Sequence, residues 1–285
     1  MVAMRLVRSE PVIDATPARA RKISLNNVAV DFSTRGRIIR AVDDMTLEVP
    51  ERQFVALVGP SGCGKSTILN MVAGLLKPSA GFVEYDGAPV SAANTRVGYM
   101  TQKDTLLPWR TVADNIGIAH ELRCRKATRS ERQDRVAEMI ELVGLTGFER
   151  HFPAELSGGM RKRAALARML IYEPETLLLD EPFGALDAQL RLVMQQELLR
   201  LVERRQMTVI LVTHDLEEAV VMADRVVVFT SRPGRIRTSR DIPFERPRNP
   251  MELRFKPEFS AIHKELWNEL KQEFAASLEG ERGAD

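Results

Sequence analysis

The chain has 285 residues, of which 44% are hydrophobic and 28% are charged, as is ordinary for a globular protein. Its formal net charge of +2 is too small to indicate nucleic acid as the main partner, and two cysteines provide no disulfide framework. No apolar run is long enough to span a membrane, and residues 1–22 lack the hydrophobic stretch of a signal peptide. We therefore predict a cytoplasmic protein that begins with a flexible tail over residues 1–22.

The first predicted layer is an antiparallel β-sheet. Val28, Val30 and Phe32 alternate with polar residues, and so do Leu47 and Val49. A turn is predicted at residues 33–36, between these two stretches.

A glycine-rich loop follows Phe54–Val58, an apolar run that predicts a buried strand. The loop matches G-x-x-x-x-G-K-[ST] without a mismatch and consists of Gly59, Pro60, Ser61, Gly62, Cys63, Gly64, Lys65, Ser66 and Thr67. Its backbone N–H groups, together with the start of the predicted helix after it, favour nucleotide phosphates. We expect Lys65 to reach the β- and γ-phosphates and the Ser66 hydroxyl to hold Mg²⁺. A structural turn from strand to helix would not need this Lys-Ser pair.

Cys63 lies inside this loop, near the predicted helix N-terminus and Lys65. These positive neighbours predict a thiol with a lowered pKa that reacts with a maleimide, with Cys124 as an unreactive control. The alternative is a side chain that points into the helix–sheet interface and does not react.

An inserted helical subdomain is predicted from about residue 111 to residue 156. Val136, Met139, Ile140 and Val143 fall at i, i+3, i+4 and i+7, and few strand patterns occur there. Just before it, Asp104–Arg110 is partly apolar and contains Trp109, which either lies exposed as a docking element or packs in the core of the insert.

Strands are predicted again at residues 176–180, 208–213 and 225–229, with helical patterns between them. This alternation predicts an α/β fold with a parallel sheet covered by helices. From Ser231–Gly234 to Pro257 the chain is basic and rich in proline, and residues 258–278 then predict an amphipathic helix. We therefore assign residues 241–285 to a basic and helical C-terminal extension.

Two carboxylates end the strand predicted at residues 176–180. Asp180 stands where a residue that orients Mg²⁺ belongs, and Glu181 is a candidate to polarise the attacking water. The alternative is that both simply end a strand at the solvent.

A second phosphate-binding element is predicted at Ser157, Gly158 and Gly159, which begin a helix before residues 161–168. Because the loop at Gly59 already serves one site, this element needs another nucleotide. The simplest arrangement is a head-to-tail pair of subunits in which each completes the site of the other. Taken alone, the tripeptide is also compatible with an ordinary helix start.

Together these motifs resemble the ATPase subunit of an ABC transporter over roughly residues 23–230. The resemblance rests on the ordered set Gly59–Thr67, Gln102, Leu156–Met160, Leu177–Glu181, Ala185–Asp187 and His214. It implies a P-loop NTPase core at residues 23–240 that hydrolyses ATP with Mg²⁺. It also implies a homodimer on the cytoplasmic side of the plasma membrane, bound peripherally to a polytopic permease and served indirectly by a periplasmic solute-binding protein.

The resemblance also implies roles for single residues. Gln102 would sense Mg²⁺ and the γ-phosphate, His214 would be the switch histidine, and Asp187 would contact the partner across the dimer. Phe32 would stack on adenine, although its alternation with Val28 and Val30 is equally typical of a core residue. The signature usually ends in Gln, whereas this chain has Met160.

Within the family, Glu181–Asp187 is similar to bacterial importers. The signature Met160 and the segments Pro108–Arg110, Ser231–Arg235 and Phe259–Trp267 resemble the importers of nitrate, sulfonates and taurine. The resemblance thus implies uptake of a small anionic solute. A soluble ABC protein that transports nothing is an alternative interpretation. However, a translation factor of this kind would need two ATPase units in the chain, and a DNA-repair ATPase would need a long coiled coil. A small-molecule kinase or GTPase is another, but it would have no use for Ser157-Gly-Gly.

Overall fold

The computed structural model describes residues 20–34, 36–123 and 128–282. Most of the predicted N-terminal tail, together with Cys124, lies outside these ranges. The strands are β1 (Arg21–Thr34), β2 (Arg37–Pro50), β3 (Phe54–Val58), β4 (Ala80–Tyr85), β5 (Ala88–Pro89), β6 (Val97–Met100), β7 (Thr176–Asp180), β8 (Thr208–Val212), β9 (Arg225–Phe229) and β10 (Ile236–Asp241). The helices are α1 (Lys65–Val72), α2 (Val112–Arg123), α3 (Arg129–Leu142), α4 (Gly158–Leu170), α5 (Ala188–Arg205), α6 (Leu216–Met222), α7 (Pro250–Leu253) and α8 (Pro257–Arg282), with a 3₁₀ turn at Pro153–Glu155.

The N-terminal layer is a four-stranded antiparallel sheet in the order β2-β1-β4-β5. Val28 and Val30 are buried on its inner face, as their alternation predicts, because successive side chains of a strand point to opposite faces. The strand β1 begins at Arg21, so it includes the last two residues of the predicted tail, and it pairs with β2 across the predicted turn.

The second sheet has the order β10-β9-β3-β8-β7-β6, in which every pair is parallel except β10 with β9. All five side chains of β3, of β7 and of β8 are buried, which explains why each of these strands contains an uninterrupted apolar run of at least three residues. The predicted parallel sheet is therefore confirmed. The strands β6 and β10 were not predicted, because β6 has only four residues and β10 alternates with charged side chains.

The predicted helical insert contains α2 and α3. The helix α3 begins with a capping box, in which Thr128 and Glu131 bond each other's backbone N–H groups. Its buried residues are Val136, Met139 and Ile140, as the periodicity predicts.

The C-terminal segment packs on the parallel sheet and its helices. Four residues of its last helical stretch, Phe259, Ile262, Leu266 and Leu270, belong to the same buried core as α6. Arg248 is buried and pairs with Asp224, at the end of α6. Among the described helices, none is both long and apolar enough to cross a bilayer.

Candidate functional site

The site forms where three neighbouring strands end. β3, β8 and β7 lie side by side and run parallel, so their carboxyl ends meet at one edge of the sheet. The glycine-rich loop follows β3, Asp180 ends β7, and His214 lies two residues after β8. This topology brings together residues that are more than a hundred positions apart in the sequence.

The glycine-rich loop owes its shape to Gly62 and Gly64. Both have positive φ, of 73° and 99°, and a Cβ on Gly64 would lie only 2.6 Å from Val42 Cγ2. Lys65 begins α1 and is buried, and its ammonium donates to the carbonyl oxygens of Gly59 (2.8 Å) and Pro60 (2.7 Å). The loop thus holds a positive charge beside the first turn of a helix, which suits an anion.

A cavity of about 540 Å³ opens onto this loop. The predicted site residues that line it are Phe32, Ser61, Gly62, Gly64, Lys65, Ser66, Thr67, Gln102, Asp180, Glu181 and His214. Gly59 and Pro60, the first two residues of the loop, are buried and do not line the cavity. Phe32 is 40% exposed at the cavity, so the alternative that it is a core residue is wrong.

The Asp180 carboxylate is buried at the floor of the cavity, 4% exposed, and the Ser66 hydroxyl bonds to it. Burial raises the pKa of Asp180 above its ordinary value, since desolvation disfavours the charged form. A cation placed beside this carboxylate would remove that penalty.

Glu181 is the centre of a small polar cluster. Its Oε2 accepts from Gln102 Nε2 at 3.2 Å, and its Oε1 lies 3.2 Å from His214 Nδ1. The backbone of Glu181 has φ +49°, which is unusual for a residue with a side chain, and its N–H donates to the Val212 carbonyl. The structure therefore brings together the three residues predicted to be catalytic.

Cys63 contradicts the predicted reactivity. Its side chain is 1% exposed and packs in the core between the two sheets, where burial raises the pKa of the thiol. Lys65 Nζ lies 3.5 Å from Cys63 Sγ, but its lowering effect on the pKa is smaller than that of burial. The prediction of a lowered pKa and an accessible thiol is wrong, and the buried alternative is correct.

The second predicted phosphate element lies outside the cavity. Ser157 is the N-cap of α4 and accepts from the Met160 N–H, and it is exposed. Asp187 is exposed as well and caps α5 in the same way, through the Leu190 N–H. Gly158 and Gly159 pack beside the Ala185–Asp187 segment, where a Cβ on Gly159 would lie 3.1 Å from Leu186 Cδ2. Of these four predicted residues, Ser157 and Asp187 are thus exposed and the two glycines half-buried, and none of them lines the cavity at the glycine-rich loop.

Basic residues of α4 hold the Gln102 segment in place, which sequence reasoning missed. Lys162 donates to the Gln102 carbonyl, Arg161 pairs with Asp104 at 3.0 Å, and Arg168 donates to the Thr105 carbonyl. The pattern that carries this information is the basic run directly after the Ser157 tripeptide.

Residues 42–184 match the family described as "ABC transporter". The chain is 43% identical to the uncharacterized ABC transporter ATP-binding protein MJ0412 of Methanocaldococcus jannaschii over 257 residues, which cover 90% of this chain and 94% of that protein. The chain belongs to the ABC transporter family of ATP-binding proteins. The predicted P-loop fold and the prediction of an ATPase are thereby confirmed.

Two further relatives carry names that identify a branch of ABC proteins. The taurine import ATP-binding protein TauB of Rhizobium johnstonii is 40% identical over 86% of this chain and 94% of its own length. The nitrate import ATP-binding protein NrtD of Synechococcus elongatus is 41% identical over 82% of this chain and 86% of its own length. The predicted resemblance to the nitrate and taurine branch is confirmed.

Solved ABC structures share the fold. The dimeric post-hydrolysis structure of the ATP-binding cassette MJ0796 bound to ADP and Pi has a TM-score of 0.73 and 31% identity, and it covers 78% of this chain and 100% of its own. An opening of about 1400 Å³ near Asp224 and Arg246 is larger than the cavity of this ABC ATPase, but it contains none of the predicted site residues.

The carboxyl of Glu218, four residues after His214, is buried, and we therefore expect the stability of the protein to depend on pH. Glu218 in α6 is 4% exposed and accepts from the Thr213 hydroxyl, and burial raises its pKa from 4.5 to about 7. The unfolded state loses this proton at about pH 4.5 and the native state only near pH 7, so the free energy of unfolding falls as the pH rises between these values. The free energy of unfolding of the parent should therefore fall by roughly 2 kcal/mol between about pH 5.5 and 8, and Glu218→Gln should not show this fall.

Urea denaturation of both proteins at the two pH values measures this effect. Glu217→Gln is the matched control, because Glu217 is the exposed neighbour of Glu218 in the same helix. An unfolding free energy of Glu218→Gln that follows the parent at both pH values would contradict the prediction.

Proposed function

We propose that the chain is the ATP-hydrolysing subunit of an importer that takes up a small anionic solute, such as nitrate, a sulfonate or taurine, through a separate membrane permease. The observation that carries this proposal is the similarity to the taurine and nitrate import proteins, at 40% and 41% identity over more than four fifths of both chains. The subunit would act at the cytoplasmic side of the membrane as a peripheral protein. Its own residues would not contact the solute.

The cavity at the glycine-rich loop fits the substrate MgATP. Ser66 and Asp180 offer a hydroxyl and a carboxylate oxygen side by side, which are the ligand types that Mg²⁺ prefers, with Gln102 as a further oxygen ligand. Bound Mg²⁺ would neutralise charge on the β- and γ-phosphates. Lys65 would bind these phosphates, and the aromatic face of Phe32 would stack on adenine.

Glu181 would orient the attacking water in this arrangement and accept its proton. Gln102 and His214 position the Glu181 side chain through the contacts described above. His214, with its side chain 65% exposed, also has room to contact the γ-phosphate as a switch.

Two copies would bind two ATP molecules between them. Ser157 and Asp187 are exposed and do not line the cavity of their own chain, so a head-to-tail partner gives both a function. The two solved structures of the similar cassette MJ0796 are dimeric. Met160, in place of the usual Gln, lies in the first turn of α4 and is half-buried against the large hydrophobic core, whereas Ser157 is exposed.

Trp109 would be the docking residue for the permease. Its side chain is 71% exposed, so the alternative of a core tryptophan is wrong. The neighbouring Leu107 is fixed by Asn115, which accepts from the Leu107 N–H at 2.7 Å and donates to its carbonyl. A fixed segment that exposes a large aromatic side chain is typical of an interaction surface.

We expect Trp109→Ala to uncouple uptake from ATP hydrolysis. Loss of a central aromatic contact costs about 2 kcal/mol, which weakens association with the permease roughly thirtyfold. The measurement is ATP-driven uptake of labelled taurine and nitrate by membrane vesicles that contain the permease, with the ATPase rate of the isolated subunit recorded in parallel.

Trp267→Ala is the matched control, because Trp267 is the other tryptophan of the chain and is 48% exposed on α8. The control should retain uptake, and both variants should retain the ATPase activity of the isolated subunit. Normal uptake by Trp109→Ala would contradict the docking role, and absence of ATP-driven uptake of any small anion by the parent would contradict the proposed function.

A further inference from the structure

The segment Ser231–Arg235, between β9 and β10, lies directly against the glycine-rich loop. Its Gly234 donates to the Ala41 carbonyl at 2.9 Å and accepts from the Asp43 N–H at 3.1 Å. A Cβ on Gly234 would lie 1.9 Å from the Cys63 carbonyl oxygen, so no side chain fits there. The segment is therefore packed at Gly234 against the backbone of the glycine-rich loop.

Arg232 extends from this segment to the tip of the loop. Its Nε and Nη2 both donate to the Gly62 carbonyl oxygen, at 3.2 Å each. The guanidinium also lines the cavity, on whose wall Phe32 and Lys65 lie as well. Within the described part of the chain, no acidic side chain forms an ion pair with Arg232.

The base of the segment is tied to the C-terminal helix. Glu273 in α8 is 6% exposed; its Oε2 accepts from the Ser231 N–H at 2.8 Å, and its Oε1 pairs with Arg237. The residue next to Arg232 is thus held by a buried carboxylate of α8. Arg237 bonds Glu269 as well, so two residues of α8 fix this end of β10.

We propose that Arg232 binds a phosphate group of the nucleotide in this cavity and that α8 positions it through Glu273. The proposal rests on the cavity being the ATP site. A guanidinium presents its N–H donors in a planar fork that matches phosphate oxygens, and an anionic phosphate is a stronger acceptor than a neutral carbonyl such as that of Gly62. A phosphate group of the nucleotide would therefore accept hydrogen bonds from the Arg232 N–H groups that otherwise donate to the Gly62 carbonyl oxygen.

Two variants of one segment test the role of Arg232. Arg232→Gln retains an N–H donor for the Gly62 carbonyl but loses the charge, so a purely structural bond would survive while phosphate binding would not. Arg235→Gln is the matched control, because Arg235 is also exposed, pairs with Asp43 and does not line the cavity. The readout is the dissociation constant for MgATP by equilibrium dialysis at low and at high salt.

We expect Arg232→Gln to weaken MgATP binding about tenfold at low salt and less at high salt, with Arg235→Gln unchanged. Arg232→Lys, which retains the charge without the fork, should lose less. Equal affinity of Arg232→Gln and the parent, or an equal loss in both Gln variants, would overturn the proposal. If Arg232→Gln does not fold, Arg232→Lys provides the test. An affinity of Arg232→Lys for MgATP equal to that of the parent at both salt concentrations would contradict a contact between the guanidinium fork and the phosphate.

The positioning by α8 is tested with Glu273→Gln. We expect a raised KM for MgATP with an unchanged kcat, because among the described residues no hydrogen bond or ion pair joins the cluster of Gln102, Glu181 and His214 to α8. An unchanged KM would overturn the positioning role. A parent chain that binds no MgATP would instead contradict the proposed function, and a parent that binds normally beside an unaffected Arg232→Gln would contradict only this inference.

Discussion

Glu181→Gln is expected to abolish most turnover while MgATP binding is retained. Removal of a positioned general base lowers kcat about 10²–10⁴-fold. Gln is nearly the same size as Glu and still reaches Gln102 and His214, so the geometry of the cavity is preserved while the negative charge is lost. Phosphate release under saturating MgATP measures kcat, and equilibrium dialysis measures binding.

The same variant should also trap the dimer. If two copies bind ATP between them and only hydrolysis separates them, Glu181→Gln should elute as a dimer with MgATP and as a monomer without it. Glu217→Gln, an exposed glutamate outside the cavity, is the control and should hydrolyse ATP normally. Turnover by Glu181→Gln near the parental rate would remove Glu181 from the catalytic role.

Lys65→Ala should act earlier, on nucleotide binding itself. The buried ammonium of Lys65 bonds to two loop carbonyls, and in the bound state we expect it to donate to the phosphates instead. Each hydrogen bond to a charged group contributes about 1.5–3 kcal/mol, so loss of one such bond weakens MgATP binding roughly tenfold to more than a hundredfold.

The control for this variant is Lys77→Ala, because Lys77 is exposed in the loop after α1. Equilibrium dialysis with MgATP compares the two variants, and circular dichroism verifies that both are folded. A folded Lys65→Ala that binds MgATP like the parent would show that the ammonium only stabilises the loop. Together with Glu181→Gln, the variant separates binding from turnover in one cavity.

The sequence predicted the parallel strands well because they are buried on both faces. β3, β7 and β9 match their predicted bounds, and β8 ends one residue earlier than predicted. β6 and β10 could not be predicted, because β6 has only four residues, the side chains of β10 alternate with charged ones, and each is recognised as a strand only by its pairing with a neighbour in the sheet.

The candidate site was predictable where a sequence motif determines the backbone conformation. It was less predictable where tertiary packing determines the direction and burial of a side chain. The glycine-rich loop requires its glycines, but the motif does not determine where the side chain of Cys63 points, and the packing of the two sheets buries it. Arg232 and Glu218 were not predicted, since Arg232 comes from a distant segment and the burial of Glu218 arises only when α6 packs. The roles of all the predicted site residues, including Glu181, Lys65 and Phe32, stay predictions.

The bond between Lys162 and the Gln102 carbonyl has a mechanical consequence. Ser157 caps the N-terminus of α4, and Lys162, further along the same helix, donates to the Gln102 carbonyl. If Gln102 followed a displacement of α4 by about 1 Å, its 3.2 Å bond to Glu181 would stretch beyond the range of a hydrogen bond. Movement at the exposed N-terminus of α4 would in that way change how Gln102 holds the Glu181 carboxylate.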